Sequence, residues 1–503
     1  MKRYFNNTYF QLLIAGLISL LVYFLMPGEG SNQAKLTASM ITLMAVLWIT
    51  EAIPIPVTSL IPLFFLPLIG VASINEVSPY YARSIVFLFL GGFLLALGLQ
   101  KSGIHKRIAL HIVHKIGTKP ARIVLGFMIA TGFLSMWISN TASVMVMLPV
   151  GLSVLNQAEA HGLEGKNLQN FGLGVMLGMA YAADIGGMAT IVGTPPNLVF
   201  IEMFHEMFPK APEVSFIDWM LMGLPISIVF MASGWWLLVK VIFPVREKNT
   251  FGGSEAINDQ LVALGGLRRD EIFAGLIFAV TALLWMTGSD IKFESFTLHG
   301  WRSLLGVEGL GDAGVAILMA SILFMIPSKD REGQYLLEWR MTEKVPWGIL
   351  LLFGGGFAMA FGFEQSGLND VVGAAFSTLN VSSPIVAVAF INTILTFLTE
   401  ITSNTAMTNL ILPVLGEAAV SLQIDPRILM IPATLSASCA FMMPIASPTQ
   451  AIVFGSGYVP IRKMMMAGIW FNVLGIILVT TVFLVLGQLI LGIDISVVPD
   501  WMN

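Results

Sequence analysis

The chain is short of charge and has almost no cysteine. Asp, Glu, Lys and Arg make up 11% of its 503 residues, against about 25% in soluble domains, too little to coat a set of water-soluble domains. One cysteine, Cys439, excludes an intramolecular disulfide and any multi-cysteine metal site. Neither His-Glu-x-x-His nor Gly-x-Ser-x-Gly occurs, so the signatures of a zinc or serine hydrolase are missing and no enzyme is expected. The formal net charge of −4 selects no partner, and no nucleic-acid partner is expected.

What is there belongs in hydrocarbon. Hydrophobic residues make up 56% of the chain and the mean hydropathy is +0.83. A bilayer core of about 30 Å needs roughly 20 apolar residues per helix. Such runs fall near 9–27, 36–52, 54–73, 84–100, 172–205, 216–243, 271–288, 311–327, 347–363, 426–457 and 467–493. They predict an all-α polytopic membrane protein with about 11 transmembrane helices. The first run follows Lys2 and Arg3 but lacks a small-x-small cleavage pattern, so a retained helix is expected.

Two stretches carry small polar residues where apolar ones would serve. "SMWISNTASVMVMLPV" (135–150) and "EITSNTAMTNLILPV" (400–414) share Ser-Asn-Thr and Leu-Pro-Val, each displaced by 264 residues. One shared tetrapeptide is weak, but "LFLGGFLLALGLQKSG" (88–103) falls on "LFGGGFAMAFGFEQSG" (352–367) at the same displacement. Two blocks in one register mean an internal repeat. Between them, copy one has six Lys or Arg over 101–122 and copy two has none over 365–386. Cytoplasmic loops carry the positive excess, so the copies are predicted to be inverted, and the five spans from Gly92 to Gly356 agree. Lys2, Arg3, Arg246, Lys248, Arg268 and Arg269 also fall on the expected cytoplasmic side, which puts the N-terminus inside and the C-terminus outside.

Inverted repeats with broken helices at matching places point to a secondary transporter whose site lies at the repeat interface. From Ile123 to Leu155 no charge occurs. Two arms of about 16 residues reach roughly 24 Å each, so a re-entrant hairpin with Ser139-Asn140-Thr141 at its tip is expected; 384–420 offers a second, interrupted by Glu400 and Glu417. "GTPPNLVF" (193–200) should unwind a helix and free carbonyls, including that of Gly193. Its counterpart is "ASPTQAIVF" (446–454), where the register slips to 253. Helix N-termini with hydroxyl and amide donors suit an anion. Neither triplet nor break holds Lys, Arg or His, so an anion there needs co-bound cations. Oxygen-only ligation suits Na+ rather than zinc or copper. Cation-coupled anion transport is therefore favoured over uniport.

The paired Ser-Asn-Thr motifs, the Gly-Thr-Pro-Pro-Asn break, the inverted halves and "CAFMMP" through "AIVFGSG" (439–457) resemble the divalent anion/sodium symporter family, over nearly the whole chain. The resemblance implies a homodimer with a scaffold domain and an elevator-type transport domain. Divided by the repeat, 1–83 and 206–346 would be scaffold, 84–205 and 347–457 the two transport halves with their hairpins, and 458–503 a C-terminal helix. Carried over by motif position, one sodium falls to Ser135, Ser139, Asn140 and the Gly193 backbone. The second falls to Thr399, Asn404 and the carbonyls of Thr402 and Ala446. Substrate carboxylates would meet Asn140, Thr141, Ser403, Asn404 and Thr405, with Thr194 and Ser447 nearby. In one place the family pattern fails, because Ser447-Pro448-Thr449-Gln450 stands where Thr-Pro-Pro-Asn commonly repeats.

The expected activity is sodium-coupled import of a C4-dicarboxylate such as succinate, malate or fumarate across a bacterial plasma membrane. The alternatives are sodium-independent exchange, or symport of citrate or sulfate, on the same fold. Retention of the upstream oxygens of Ser135 and Thr399 favours sodium. Glu51, Asp184 and Glu400 sit in or beside apolar spans and are the candidates for proton carriage, or for capping exposed backbone N–H groups. Ile104, Ile108, Ile112 and Ile116 recur every four residues among the charges of 101–122, the pattern of an interfacial amphipathic helix in contact with lipid. The Gly-Gly-Phe blocks are expected to serve close helix packing.

Overall fold

The computed structural model describes residues 8–26, 31–117, 119–161, 163–244, 253–292, 297–377, 383–494 and 497–502. Lys2, Arg3, Arg246 and Lys248, used above for orientation, lie outside them. Among the described residues the architecture is helical, with one two-residue antiparallel pairing of Ile291–Lys292 and Thr297–Leu298.

The first repeat runs through α1 (Thr8–Leu25), α2 (Asn32–Thr50), α3 (Ile61–Leu68), α4 (Ser84–Ser102), α5 (Ile104–Ile116), α6 (Pro120–Ser135), α7 (Asn140–Ala160), α8 (Gly165–Gly187) and α9 (Pro195–Met207). Then come α10 (Phe216–Trp236), α11 (Arg269–Met286) and α12 (Gly311–Met325). The second repeat contains α13 (Trp347–Gln365), α14 (Leu368–Ser377), α15 (Pro384–Leu398), α16 (Asn404–Ser421), α17 (Arg427–Ala437), α18 (Pro448–Gly455) and α19 (Ile461–Leu491). Nine segments among the described residues are long and apolar enough to cross a membrane, and three shorter apolar helices accompany them. Leu17, Leu20, Leu21 and Phe24 of α1 and Ile228, Trp470 and Val485 elsewhere are exposed, as an outer surface bathed in lipid requires.

Proline marks the repeat as clearly as the triplets do. Proline needs no intrahelical N–H partner and suits the first helical position. Pro120 and Pro384 open α6 and α15, the entry arms of the two hairpins. Pro195 and Pro448 open α9 and α18, the helices after the two breaks. The Gly-Gly-Phe blocks are packing surfaces. A Cβ on Gly91 would lie 2.6 Å from the Ala316 Cβ, and one on Gly355 would lie 2.4 Å from the Ser59 carbonyl. Thus α4 lies along α12 and α13 lies against the turn that precedes α3.

Three expectations change. The run 54–73 is not one helix: Ile55–Thr58 and Ile61–Leu68 are separate pieces, because Pro54, Pro56, Pro62 and Pro67 interrupt the backbone ladder. The exit arm of the first hairpin is longer than a charge-free half, since α7 continues past Leu155 through Gln157 and Glu159 for 21 residues in all. In α5 the buried face is His105, Ala109, Leu110 and Val113, while the isoleucine stripe is only half-buried. Arg107 also points inward, donating to Glu271 at 2.9 and 3.1 Å and to the carbonyls of Leu264, Gly265 and Gly266. A bidentate, hydrogen-bonded partner is what lets a guanidinium leave water, and no periodicity in α5 announces it.

Candidate functional site

Four departures from helix lie in the interior: the hairpin tips at 136–139 and 399–403, and the breaks at 188–194 and 438–447. In each tip a serine caps the exit arm. Ser139 Oγ accepts from Ala142 N at 3.3 Å, and Ser403 Oγ accepts from Ala406 N at 3.5 Å. Capping satisfies one of the first free N–H groups of the helix. The hydroxyl five residues before each asparagine meets its side-chain oxygen: Ser135 Oγ donates to Asn140 Oδ1 at 2.7 Å, and Thr399 Oγ1 donates to Asn404 Oδ1 at 2.5 Å. The Ala437 carbonyl lies 3.0 Å from Thr399 Oγ1. Two lone-pair-bearing oxygens in contact, repeated in register, have the chemistry to take part in coordinating a cation in each half.

Gly187 locates the first of these. A Cβ there would lie 2.7 Å from Asn140 Oδ1 and 3.2 Å from the Gly193 carbonyl, so the missing side chain lets both oxygens close in on the same stretch of backbone. Ser135, Asn140 and Gly193 are thereby brought together, whereas Ser139 sits at the tip as a cap. In the second half Thr399 and Asn404 are brought together; Thr402 and Ala446 are buried, and Thr402 N donates to the Thr399 carbonyl at 3.4 Å. Asn140, Thr141, Ser403 and Asn404 are half-buried, whereas Thr194, Thr405 and Ser447 are buried. The hydroxyls of Thr141, Thr194 and Thr405 have no hydrogen-bond partner among the described residues. Ser447 is engaged instead, 2.5 Å from Thr449 Oγ1 and 3.4 Å from Asp184 Oδ2.

Each tip is sewn to its own break, by different chemistry at matching positions. In the first half Thr190 Oγ1 donates to the Met136 carbonyl at 2.5 Å. In the second, Glu400, related to Met136 by 264 residues, accepts from Phe441 N, Met442 N and Met443 N at 2.8 to 3.0 Å. Asn472 Nδ2 adds a fourth donor at 2.7 Å. Three successive backbone N–H groups around one carboxylate make a nest, so Glu400 holds backbone rather than facing the open oxygens. Asn197 does comparable work in the first break, donating to the carbonyls of Gly187 and Thr190. Glu51 is exposed at the left-handed end of α2. Thr190, Asn197 and Asn472 were not singled out from sequence, although Asn197 lies within the quoted break. A cleft of about 490 Å³ lined by Lys101, Arg331, Glu338 and Lys344 shares no residue with the tips or breaks.

Comparison with known proteins now decides the family. Residues 6–493 match the family model described as the sodium:sulfate symporter transmembrane region. The chain belongs to this family of divalent anion/sodium symporters. It is 38% identical over 490 residues, 96% of this chain and 92% of the relative, to the sodium-dependent dicarboxylate transporter SdcS of Staphylococcus saprophyticus. It is 39% identical over 477 residues, 94% of this chain and 88% of the relative, to SdcS of Staphylococcus aureus strain RF122. The Alcanivorax borkumensis YdaH transporter shares the fold with a TM-score of 0.52 and 13% identity, over 82% of this chain and 87% of that one. An integral, polytopic membrane protein follows for this family member.

Two outcomes are expected from this geometry. Gly187→Ala should place a methyl against Asn140 Oδ1 and reduce sodium-stimulated uptake by roughly tenfold or more, with monodisperse protein in detergent; wild-type uptake would remove this spot from the site. Glu400→Ala should lower thermal stability by about 3 kcal/mol, the cost of orphaning charge-assisted bonds, while surviving protein keeps the wild-type sodium dependence in flux assays. A stable variant with altered sodium dependence would instead place Glu400 in ion binding.

Proposed function

We propose that the protein is a sodium-coupled symporter that imports C4-dicarboxylates such as succinate, malate or fumarate. The observation that carries this reading is the repeated hydroxyl–asparagine oxygen pair, Ser135 with Asn140 and Thr399 with Asn404, in a region without a cationic side chain. The names of the staphylococcal relatives, sodium-dependent dicarboxylate transporters, support the substrate class and the ion. One Na+ is held by Ser135, Asn140 and the Gly193 carbonyl, with Ser139 at the tip. The other is held by Thr399 and Asn404, with carbonyls of Thr402 and Ala446 completing its shell. The substrate carboxylates bind between the tips, on Thr141, Thr194 and Thr405 and on the amide donors of Asn140 and Asn404, with Ser403 and Ser447 flanking.

The charge arithmetic explains the coupling. A dianion without a basic partner is costly away from water, and bound cations make the occupied site close to neutral. Binding of either species therefore raises affinity for the other. The site also joins segments able to move together. The hairpins α6–α7 and α15–α16, the broken helices α8–α9 and α17–α18, and α10 with α19 pack on one another. By contrast α4 packs on α11 and α12, while α13 packs on α2 and α3 on one side and on α16 and α9 on the other. This packing supports a scaffold that includes α4, with α13 lying between scaffold and moving unit, and a moving unit that begins at α6 and α15 rather than at residues 84 and 347. A homodimer in the inner membrane of a bacterium, with lipid around the scaffold and the N-terminus cytoplasmic, completes the reading, and no enzymatic activity is assigned.

The test is uptake of labelled succinate into proteoliposomes under inward Na+, K+ or H+ gradients, and with dicarboxylate preloaded inside. Accumulation driven by Na+ into empty vesicles, lost in Asn140→Ala and Asn404→Ala, is the expected result. Uptake indifferent to Na+ but dependent on internal dicarboxylate would make the protein an exchanger. Sodium-driven uptake of sulfate or citrate with none of succinate would keep the coupling and change the substrate.

A further inference from the structure

The proposed sodium sites account for the tips, but not for the carboxylate that reaches Asn140 from outside the first tip. Asp184, in the last turn of α8, is 2% exposed and has no Lys, Arg or His partner among the described residues. Unlike Glu400 it caps no backbone. Four side chains surround it: Asn140 Nδ2 at 3.1 Å, Thr449 Oγ1 at 3.0 and 3.2 Å, Gln450 Nε2 at 3.1 Å and Ser447 Oγ at 3.4 Å. One donor comes from the first hairpin tip and three from the second break. The carboxylate is thus a strut between the two repeats.

Its effect on Asn140 follows from donor and acceptor types. An ionised carboxylate only accepts, so it holds the Asn140 NH2 toward itself and turns Oδ1 toward Ser135 and the Gly187 backbone. In the second half the position matching Asp184, at the displacement of the breaks, is Ala437, which offers Thr399 only its carbonyl. The Asn404 NH2 has no partner among the described residues. The two sites are therefore unequal: one asparagine is oriented by a fixed negative charge and the other is not.

The unusual Ser-Pro-Thr-Gln sequence belongs to the same arrangement. Thr449 and Gln450 stand where the first break has Pro196 and Asn197, and both reach Asp184. Proline could not donate there, and Asn197 turns back to its own break. Resting on the sodium-coupled reading above, we propose that Asp184 is a positioning residue that orients the Asn140 amide for the first sodium and, through Thr449 and Gln450, couples that site to the second break.

In Asp184→Asn the new amide offers one acceptor oxygen in place of two, and the Asn140 side chain is free to turn its NH2 toward the cation. The experiment measures the Na+ concentration for half-maximal succinate uptake, and the succinate KM at saturating Na+, for wild type, Asp184→Asn, Thr449→Val and Gln450→Leu in proteoliposomes. Asp184→Asn is expected to raise the sodium requirement roughly tenfold, with a much smaller change in KM. Thr449→Val and Gln450→Leu should shift it in the same direction by less. A variant that loses only total flux, at an unchanged sodium requirement, would overturn the proposal and leave Asp184 as packing. If Asp184→Asn fails to fold, the two break variants decide, and wild-type sodium requirements in both overturn it. Sodium-independent uptake by the wild type is a separate outcome that refutes the symporter reading itself.

Discussion

In an apolar layer, a backbone group that leaves its helix must find another partner, and this chain leaves its helices at two tips and two breaks. The contact that makes these places usable is a hydroxyl on an asparagine oxygen, Ser135 on Asn140 and Thr399 on Asn404. Each pair spans a helix end, so its geometry survives only while the arm before the tip and the arm after it stay in place. Pro120 and Pro384 start the entry arms, Ser139 and Ser403 cap the exit arms, and Gly187 lets Asn140 Oδ1 and the Gly193 carbonyl close in on its backbone. The oxygens proposed as sodium ligands are thereby held in place without any charged side chain of their own.

The two halves repeat positions more faithfully than chemistry. The tie between tip and break is a threonine on a carbonyl in one half and a carboxylate on three N–H groups in the other. The carboxylate near the opposite end of the break occurs only in the first half, as Asp184, where the second has Ala437. Beside the tips and breaks each repeat thus has its own buried acid, Asp184 or Glu400, at positions that do not correspond. On the proposed reading, a substrate between the halves would meet an asymmetric field, and a cation in each half would meet different surroundings.

Much of this was legible from residue order because duplication leaves a register. The displacement of 264 residues brings together Ser135 with Thr399 and Asn140 with Asn404, and the contacts inside each tip are local, five residues apart. What was not legible joins distant parts of the chain. Asp184 and Gln450 are 266 residues apart, and neither hydropathy nor spacing couples them. The departure at Thr449-Gln450 was visible as an oddity, but its meaning depends on which helix it faces. Arg107 was counted among the cytoplasmic charges of 101–122 and turns inward to Glu271, and the proline-rich run 54–73 satisfied a hydropathy count while lacking a continuous backbone ladder.

The central claim is that each repeat supplies one cation site built on its asparagine. The most direct measurement is equilibrium binding of radioactive 22Na+ to purified protein in the presence of succinate, with wild type compared with Asn140→Leu and Asn404→Leu. The account predicts two sodium ions per chain in the wild type and one in each variant that remains folded. Wild-type stoichiometry retained in both variants would contradict it.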